Sequence, residues 1–293
     1  MKILLFGEHG QLGWELHRTL QGLGQVMAYD FPAVDFATPS ALVRILEDSR
    51  PQIVINAAAY TDVDKAESET ERAKLVNAEA PGLLADSCRR LDAAFIHYST
   101  DYVFDGRKGS PYLESDAPRP MNIYGQTKLE GERAVLQAGG VSLILRTAWV
   151  YSLRRNSFVS KVLDWAHSQR ELRIVEDQAS NPTWARTLAE ITTQLLSRAG
   201  SDPLPWLSEN GGLYHLACRG SATRLEWAKA ILEMDPDKAG QTVDRILPAR
   251  SDEFSTPAMR PLLSALDCGK FEKAFSLRMP DWKSTLRLAM EIQ

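Results

Sequence analysis

The stretch Lys2–Leu20, KILLFGEHGQLGWELHRTL, decides the fold. Lys2 to Phe6 is a short apolar run, long enough for a buried strand and too short for a helix. Gly7 follows at once, and glycines recur at Gly10 and Gly13 in the pattern GxxGxxG. Leu12, Leu16 and Leu20 then keep helical spacing. Strand, glycine turn and helix in that order form the first unit of a dinucleotide-binding fold. The glycines let the backbone turn tightly and approach a pyrophosphate at the positive end of the helix. Gly7, Gly10, Gln11, Leu12 and Gly13 are therefore candidate cofactor residues; the plainer reading is a glycine-rich turn without a ligand.

Moving outward, Gln25 to Tyr29 reads as a second strand that ends at Asp30, 17 residues past Gly13. That is close to the spacing at which an acidic side chain meets the adenosine ribose. No Arg or Lys lies between Asp30 and Ser40, where a 2′-phosphate would want one, so NADH is at least as acceptable as NADPH. Asp35 and Phe36 suit either the adenine or a solvated loop. Thr38 to Ser49 is predicted as a helix stopped by Pro51. Gln52 to Asn56 is the next buried strand, followed by Ala57, Ala58 and Ala59, small enough for a backbone to lie against a flat cofactor. Glu69 to Leu91 reads as a long amphipathic helix interrupted at Pro81-Gly82, with Asn77 inside it.

A second region carries chemistry. Ala94 to Tyr98 reads as a buried strand ending in two hydroxyls, Ser99 and Thr100. A polar loop with Gly106, Gly109, Pro111, Pro118 and Pro120 leads to Tyr124-Gly-Gln-Thr-Lys128, which opens a helical segment. Tyr124 and Lys128 are four apart, so on a helix their Cβ atoms lie about 5–6 Å apart on one face. A phenol has a pKa of about 10, and a cation held beside it favours the phenolate. Thr100 nearby would share or position the proton, so the region holds the parts of a proton-transfer site for a carbonyl and its alcohol.

Val141 to Arg146 is a further strand, and up to about residue 150 strands alternate with helices as in a doubly wound parallel sheet. The remainder is a mixture: helices over Phe158–His167, Leu188–Arg198 and Arg224–Met234, strands over Glu171–Glu176 and Gly212–Ala217, and proline-rich connections. The expectation is α/β: a Rossmann domain over 1–150 and a smaller α/β substrate domain over 151–293, with some elements returning to the first. Ligands bind such sheets beyond the carboxyl ends of their strands.

Composition narrows the function. The chain has 293 residues, 44% hydrophobic and 25% charged, with net charge −4. An acidic balance argues against nucleic acid or an anionic membrane as partner. Three widely spaced cysteines, Cys88, Cys218 and Cys268, suggest neither a disulfide framework nor a zinc site. The apolar run in MKILLFG is short for a signal peptide and no stretch approaches spanning length, so a cytoplasmic location is expected.

Together these pieces resemble the extended short-chain dehydrogenase/reductase family. The resemblance rests on GEHGQLG, VINAAAYTDVDKAE, NAEAP, HYSTDYVFDG, YGQTKLEGE, LRTAWVY, PTWARTLAE, GLYHLA and TPAMRPLLSALD, spread over nearly the whole chain. It implies NAD(P)H-dependent reduction of the 4-keto group of a nucleotide sugar, dTDP-4-dehydro-L-rhamnose, to dTDP-L-rhamnose. It also implies that Tyr124 is the general acid, that Lys128 lowers its pKa and holds the nicotinamide ribose, and that Thr100, with Ser99 beside it, tunes proton transfer. Gly10 to Leu12, Asp30, Asp35, Phe36 and Ala57 to Ala59 would hold the dinucleotide, with Tyr98 near it. Asp101, Tyr102 and Trp149 match sugar-nucleotide positions, and Arg260 stands where a late arginine meets the diphosphate. Some relatives carry magnesium at a homodimer contact through glutamates, for which Glu15 and Glu190 would serve here.

Two departures fall on the substrate side. The family pattern has Asn directly before Phe, whereas here Ser157 precedes Phe158 and Asn156 is one earlier. The loop Asp177–Thr183 lacks the usual glycine. Two other readings compete. A dehydratase or epimerase on this scaffold is one; a dehydratase needs an Asp-Glu pair beside Thr100, where this chain has Asp101 and Tyr102. The other is a non-catalytic regulatory subunit, similar to the beta subunit of methionine adenosyltransferase. Loss of the proton-transfer set would then be expected, yet Thr100, Tyr124 and Lys128 are present.

Overall fold

The computed structural model describes residues 1–291. Five strands near the start carry the sheet: β1 (Lys2–Phe6), β2 (Gln25–Tyr29), β3 (Ile53–Asn56), β4 (Ala94–Thr100) and β5 (Ser142–Thr147). A sixth, Gly212–His215, joins beside β5, and the order across the sheet is Gly212–His215, β5, β4, β3, β1, β2. Every pairing is parallel. β1 sits between β2 and β3, so chain connections leave it in opposite directions, and the crevice above β1 and β3 is where such a sheet binds ligands.

Alternation along the strands sorts the core into two layers. Ile3, Leu5, Ile53, Ile55, Ile96, Leu143 and Leu145 pack on one face. Leu4, Phe6, Val54, Phe95 and Ile144 pack on the other. Each fully buried aliphatic side chain contributes about 1.5–3 kcal/mol, so two covered faces are what hold these short strands together. The first face is covered by α1 (Gln11–Thr19) and by the helix Ala185–Ser197, joined by a 2.8 Å hydrogen bond from Thr193 to Thr19. The second is covered by α2 (Pro39–Ser49) and the helices Ala80–Arg90 and Ile123–Gln137.

The long helix did not break at Pro81. Thr70–Lys74, Leu75–Glu79 and Ala80–Arg90 run on as one helical stretch whose middle turn is widened to π geometry. Pro81 has no N–H for the carbonyl four residues earlier, and a widened turn just before it accommodates that loss. Asn77, in that turn, is structural: its amide holds both backbone groups of Tyr60 at 2.9 and 3.1 Å and reaches the Thr127 hydroxyl at 3.2 Å.

After Tyr151 the chain builds the smaller layer. Glu171–Val175 pairs in parallel with Arg245–Ala249, and the helix Phe158–Ser168 packs on Arg224–Met234. Three elements of this half return to the sheet: Ala185–Ser197, Pro203–Asn210 and Gly212–His215. Among the described residues no helix is long and apolar enough to cross a membrane.

Candidate active site

The ends of β1, β3, β4 and β5 open into one cleft of about 940 Å³. Its floor is the glycine turn. Gly7 has φ +89°, and a Cβ there would stand 2.6 Å from the Ala58 nitrogen, so both conformation and space demand glycine. A Cβ on Gly13 would meet the Gly7 carbonyl oxygen at 1.9 Å, which fixes how closely α1 sits on the turn. No side chain caps α1, so its first N–H groups remain available to an anion. Gly7, Gly10, Gln11, Leu12, Asp30, Ala57, Ala58 and Ala59 all line this cleft. Gly13 does not; its contribution is the packing just described.

Asp30 is held at the rim, its carboxylate accepting from the His9 and Phe31 backbone N–H groups at 2.8 and 2.7 Å. Asp35 and Phe36 line an adjoining recess of about 440 Å³ that shares Asp30, Ala58 and Ala59 with the cleft. Asp35 also closes a turn by accepting from the Ala37 N–H, and Phe36 packs its ring edge-on to Phe6 at 5.4 Å. Lys65 and Arg72 line the same recess. They come from far along the chain, so the absence of cations between Asp30 and Ser40 does not describe this end of the site.

Thr100, Tyr124 and Lys128 meet in the cleft. Asn122 caps the helix Ile123–Gln137 by accepting from the Gly125 N–H at 2.8 Å, which sets Tyr124 in its first turn. A Cβ at Gly125 would lie 2.2 Å from the Tyr102 carbonyl oxygen; the glycine beside Tyr124 therefore lets the helix press against the end of β4. Thr100 faces the Tyr124 phenol across the cleft and donates to Asp101 at 3.1 Å. Lys128 is buried, donates to the Tyr98 carbonyl at 2.7 Å and lies 3.3 Å from His97 Nε2.

The electrostatics differ from the expectation that Lys128 brings the phenol down. Burial dominates Tyr124 and pushes it up, against a smaller opposing pull from the Thr100 hydroxyl. Burial also pulls Lys128 down to about 8, with Glu132 acting the other way. A phenol that keeps its proton is the form able to donate one.

On the substrate side the structure adds partners that the sequence does not show. Tyr98 lines the cleft, but its hydroxyl is spent on Thr192 at 2.7 Å, and its carbonyl holds Lys128. Asp101 is a buried hub: its oxygens accept from Thr100, from Ser180 at 3.0 Å and from Ser264. Burial raises its carboxyl to about 6. Arg260 pairs with Asp64 at 2.7 Å; it does not itself line the cleft, but its charge acts on Tyr102 and Arg224, which do. Sequence reasoning missed Arg224. Its guanidinium lies 3.7 Å from the Trp149 ring centre and 4.7 Å from that of Phe158, and its charge acts on Tyr102. The local signal available was an arginine placed just after the helix-capping Thr223. Trp149 adopts φ +40°, a conformation costing a bulky residue roughly 1–2 kcal/mol, and it turns into the cleft beside Asn156. Asn156 thus reaches the site although it stands one residue earlier than the family pattern.

Glu15 and Glu190 line a separate recess of about 550 Å³ with Arg18, Arg154 and Arg186. Glu190 pairs with Arg186 at 3.0 Å, and burial raises Glu15 while Arg186 and Arg18 lower it. Guanidinium groups already serve these carboxylates. Among the described residues no cluster of three or more His, Cys, Asp or Glu forms a metal site.

Three buried polar atoms of the cleft lack any protein partner: Gln11 Oε1, Ser99 Oγ and Thr147 Oγ1. Buried polar groups are normally bonded, so these mark where a polar ligand fits.

Comparison with known proteins agrees with this geometry. A dTDP-4-dehydrorhamnose reductase of Burkholderia thailandensis is 42% identical over 293 residues, covering 99% of this chain and 98% of that protein. The protein of that name in Escherichia coli is 40% identical, covering 97% and 95%. A crystal structure of dTDP-4-dehydrorhamnose reductase from Bacillus anthracis in complex with NADP superposes with a TM-score of 0.90 at 30% identity, covering 100% of both chains. The model of the RmlD substrate binding domain matches residues 1–293, and the chain belongs to that family.

Proposed function

We propose that this protein reduces the 4-keto group of dTDP-4-dehydro-L-rhamnose to the alcohol of dTDP-L-rhamnose, with NADH or NADPH. The observation that carries this reading is the meeting of Thr100, Tyr124 and Lys128 in one cleft with the glycine turn. The orphaned oxygens of Gln11, Ser99 and Thr147 suit a dinucleotide with many polar groups. Gly7, Gly10, Gln11 and Leu12 would hold its pyrophosphate, Asp30 its adenosine ribose, Ala57 to Ala59 its flank, and Lys128 its nicotinamide ribose. A nicotinamide cofactor held there would supply the hydride for the carbonyl carbon.

The chain's own residues manage the proton. Tyr124 donates from its phenol to the carbonyl oxygen as that oxygen gains charge, and the C–O double bond becomes an alcohol. Burial keeps the phenol protonated until then. Thr100 orients the phenol and the substrate oxygen, and Asp101 holds Thr100 in place. Arg224, backed by Trp149, meets the diphosphate, a role suited to a guanidinium fork. Reduction leaves Tyr124 as a phenolate, which Lys128 stabilises. A regulatory subunit would have no use for this assembled set.

The test is a spectrophotometric assay of the purified protein with NADH, NADPH and a panel of nucleotide-linked 4-keto sugars. Turnover with the dTDP-linked 4-keto-deoxysugar is the expected result, and oxidation of neither cofactor with any member would overturn the reading. NADH below about a hundredth of the NADPH kcat/KM would remove the ribose role of Asp30.

A further inference from the structure

We propose that His9 is the residue that reads the 2′ position of the adenosine ribose, its imidazole donating to the 2′-phosphate of NADPH. The inference rests on the reading that Asp30 meets that ribose. Gly7 to Gly10 form a tight turn, closed by the Gly10 N–H donating to the Gly7 carbonyl at 3.0 Å, so Glu8 and His9 stand at its corner. Their side chains then part. Glu8 pairs with His17 of α1 at 3.3 Å. His9 lines the cleft with its side chain 56% exposed and its Nδ1 3.7 Å from Asp30 Oδ2.

The backbone fixes the carboxylate beside that ring. Asp30 Oδ2 accepts from the His9 N–H at 2.8 Å, and Oδ1 accepts from the Phe31 N–H at 2.7 Å. A ribose bound to Asp30 therefore arrives in one position, with the imidazole as its neighbour. At 3.7 Å the ring lies outside ordinary hydrogen-bond distance, so its N–H is not already spent on Asp30.

Chemistry at this point divides the two cofactors. NADH carries a 2′-hydroxyl, which donates to a carboxylate. NADPH carries a phosphate there, with acceptor oxygens and a charge of about −1.5 to −2, and a carboxylate repels it. A site with Asp30 alone would take NADH and refuse NADPH. His9 supplies what the carboxylate lacks, because an imidazole, neutral or protonated, presents at least one N–H. The other cations near this end, Lys65 and Arg72, line the adjoining recess with Asp35 and Phe36 and are not among the residues of the cleft itself. Lys65 also pairs with Asp62 at 3.5 Å. His9 is thus the donor placed beside the 2′ carbon, and it lets a carboxylate site accept both cofactors.

The experiment is calorimetric titration of the full-length protein with NAD⁺ and with NADP⁺, without any sugar nucleotide, so that affinity is read and turnover is not. His9→Ala should raise the NADP⁺ Kd about tenfold or more, the loss of a charge-assisted hydrogen bond, and leave the NAD⁺ Kd within about twofold. Asp30→Asn should tighten NADP⁺ and weaken NAD⁺, and adding His9→Ala to it should still weaken NADP⁺. That second pair separates a ring that meets phosphate from one that only supports the carboxylate. Equal losses for the two cofactors in His9→Ala, or no loss for NADP⁺, would overturn the proposal. So would a selective NADP⁺ loss found in Arg72→Ala in place of His9→Ala, since the phosphate would then lie in the recess. A natural protein that binds neither dinucleotide would overturn the cofactor reading together with this one. One that binds both while His9→Ala changes nothing would overturn this inference alone.

Discussion

The wall of the cleft above β1 and β3 is made of backbone and small side chains: Gly7, Gly10, Ala57, Ala58 and Ala59. The facing wall is made of long polar and aromatic side chains, Asp101, Tyr102, Trp149, Asn156 and Arg224, drawn from separate parts of the chain. The first wall recognises by closeness. Its specificity lies in what a Cβ would obstruct, and two short segments that follow β1 and β3 build it. The second recognises by placed charge and stacking, and its charged groups Asp101 and Arg224 are held by residues far away. Asp101 accepts from Ser264, 163 positions later, and Arg224 stacks on Trp149. Mutation should therefore damage the two walls in different currencies: cofactor binding on one side, substrate binding on the other.

The largest effect is expected where the walls meet. Tyr124→Phe should lower turnover by about 10²- to 10⁴-fold while leaving NAD(P)H binding near normal, because only the phenol oxygen is lost. Steady-state kinetics with a cofactor titration checks both, and near-normal turnover would remove Tyr124 from the chemistry. Next comes Arg224→Ala, which should raise KM for the nucleotide sugar by roughly 10- to 100-fold, the worth of a charge-assisted bond. The cofactor Kd should not follow. If it did, the two walls would not be separable.

Gly13→Ala attacks the other wall. A Cβ 1.9 Å from the Gly7 oxygen forces α1 away from the turn, at a cost of about 1–3 kcal/mol of stability. Cofactor affinity should fall with it, read by fluorescence titration and urea unfolding, while substrate KM at saturating cofactor should change less. The smallest effect is a pH dependence. Burial raises the Asp101 carboxyl to about 6 in the fold, above the ordinary unfolded value of about 4. Between these values the folded chain binds the extra proton, so Asp101 contributes most below pH 4 and loses ground as pH rises through 6. The stability difference between the natural protein and Asp101→Asn should therefore shift in favour of Asn over that window. A difference constant with pH would show that Asp101 titrates as it does in the unfolded chain.

Much of the fold was legible because its signals are local. Lys2–Phe6 followed by Gly7, or Ile53–Asn56 followed by three alanines, reads the same in isolation as in the sheet. Thr100, Tyr124 and Lys128 were legible as a set through their spacing and the family resemblance, and the fold brings them together. Less legible were residues whose partners are distant. Arg260 pairs with Asp64, 196 positions earlier, and Arg224 faces the cleft although only a helix start marks it locally. Pro81 looked like a break, and a widened turn absorbed it.

What the sequence by itself determined is the order of strands and helices, the glycine turn that only residues without Cβ can make, and the phenol–amine pair one helical turn apart. These depend on backbone sterics and side-chain period, which act over a few residues. Only the tertiary structure decided protonation and partnership: that Tyr124 keeps its proton, that Lys128 faces a ring nitrogen of His97, and that Asp101 binds three hydroxyls. Those outcomes depend on how much water is excluded and on which donors and acceptors converge, and both are set by packing between segments tens to hundreds of residues apart.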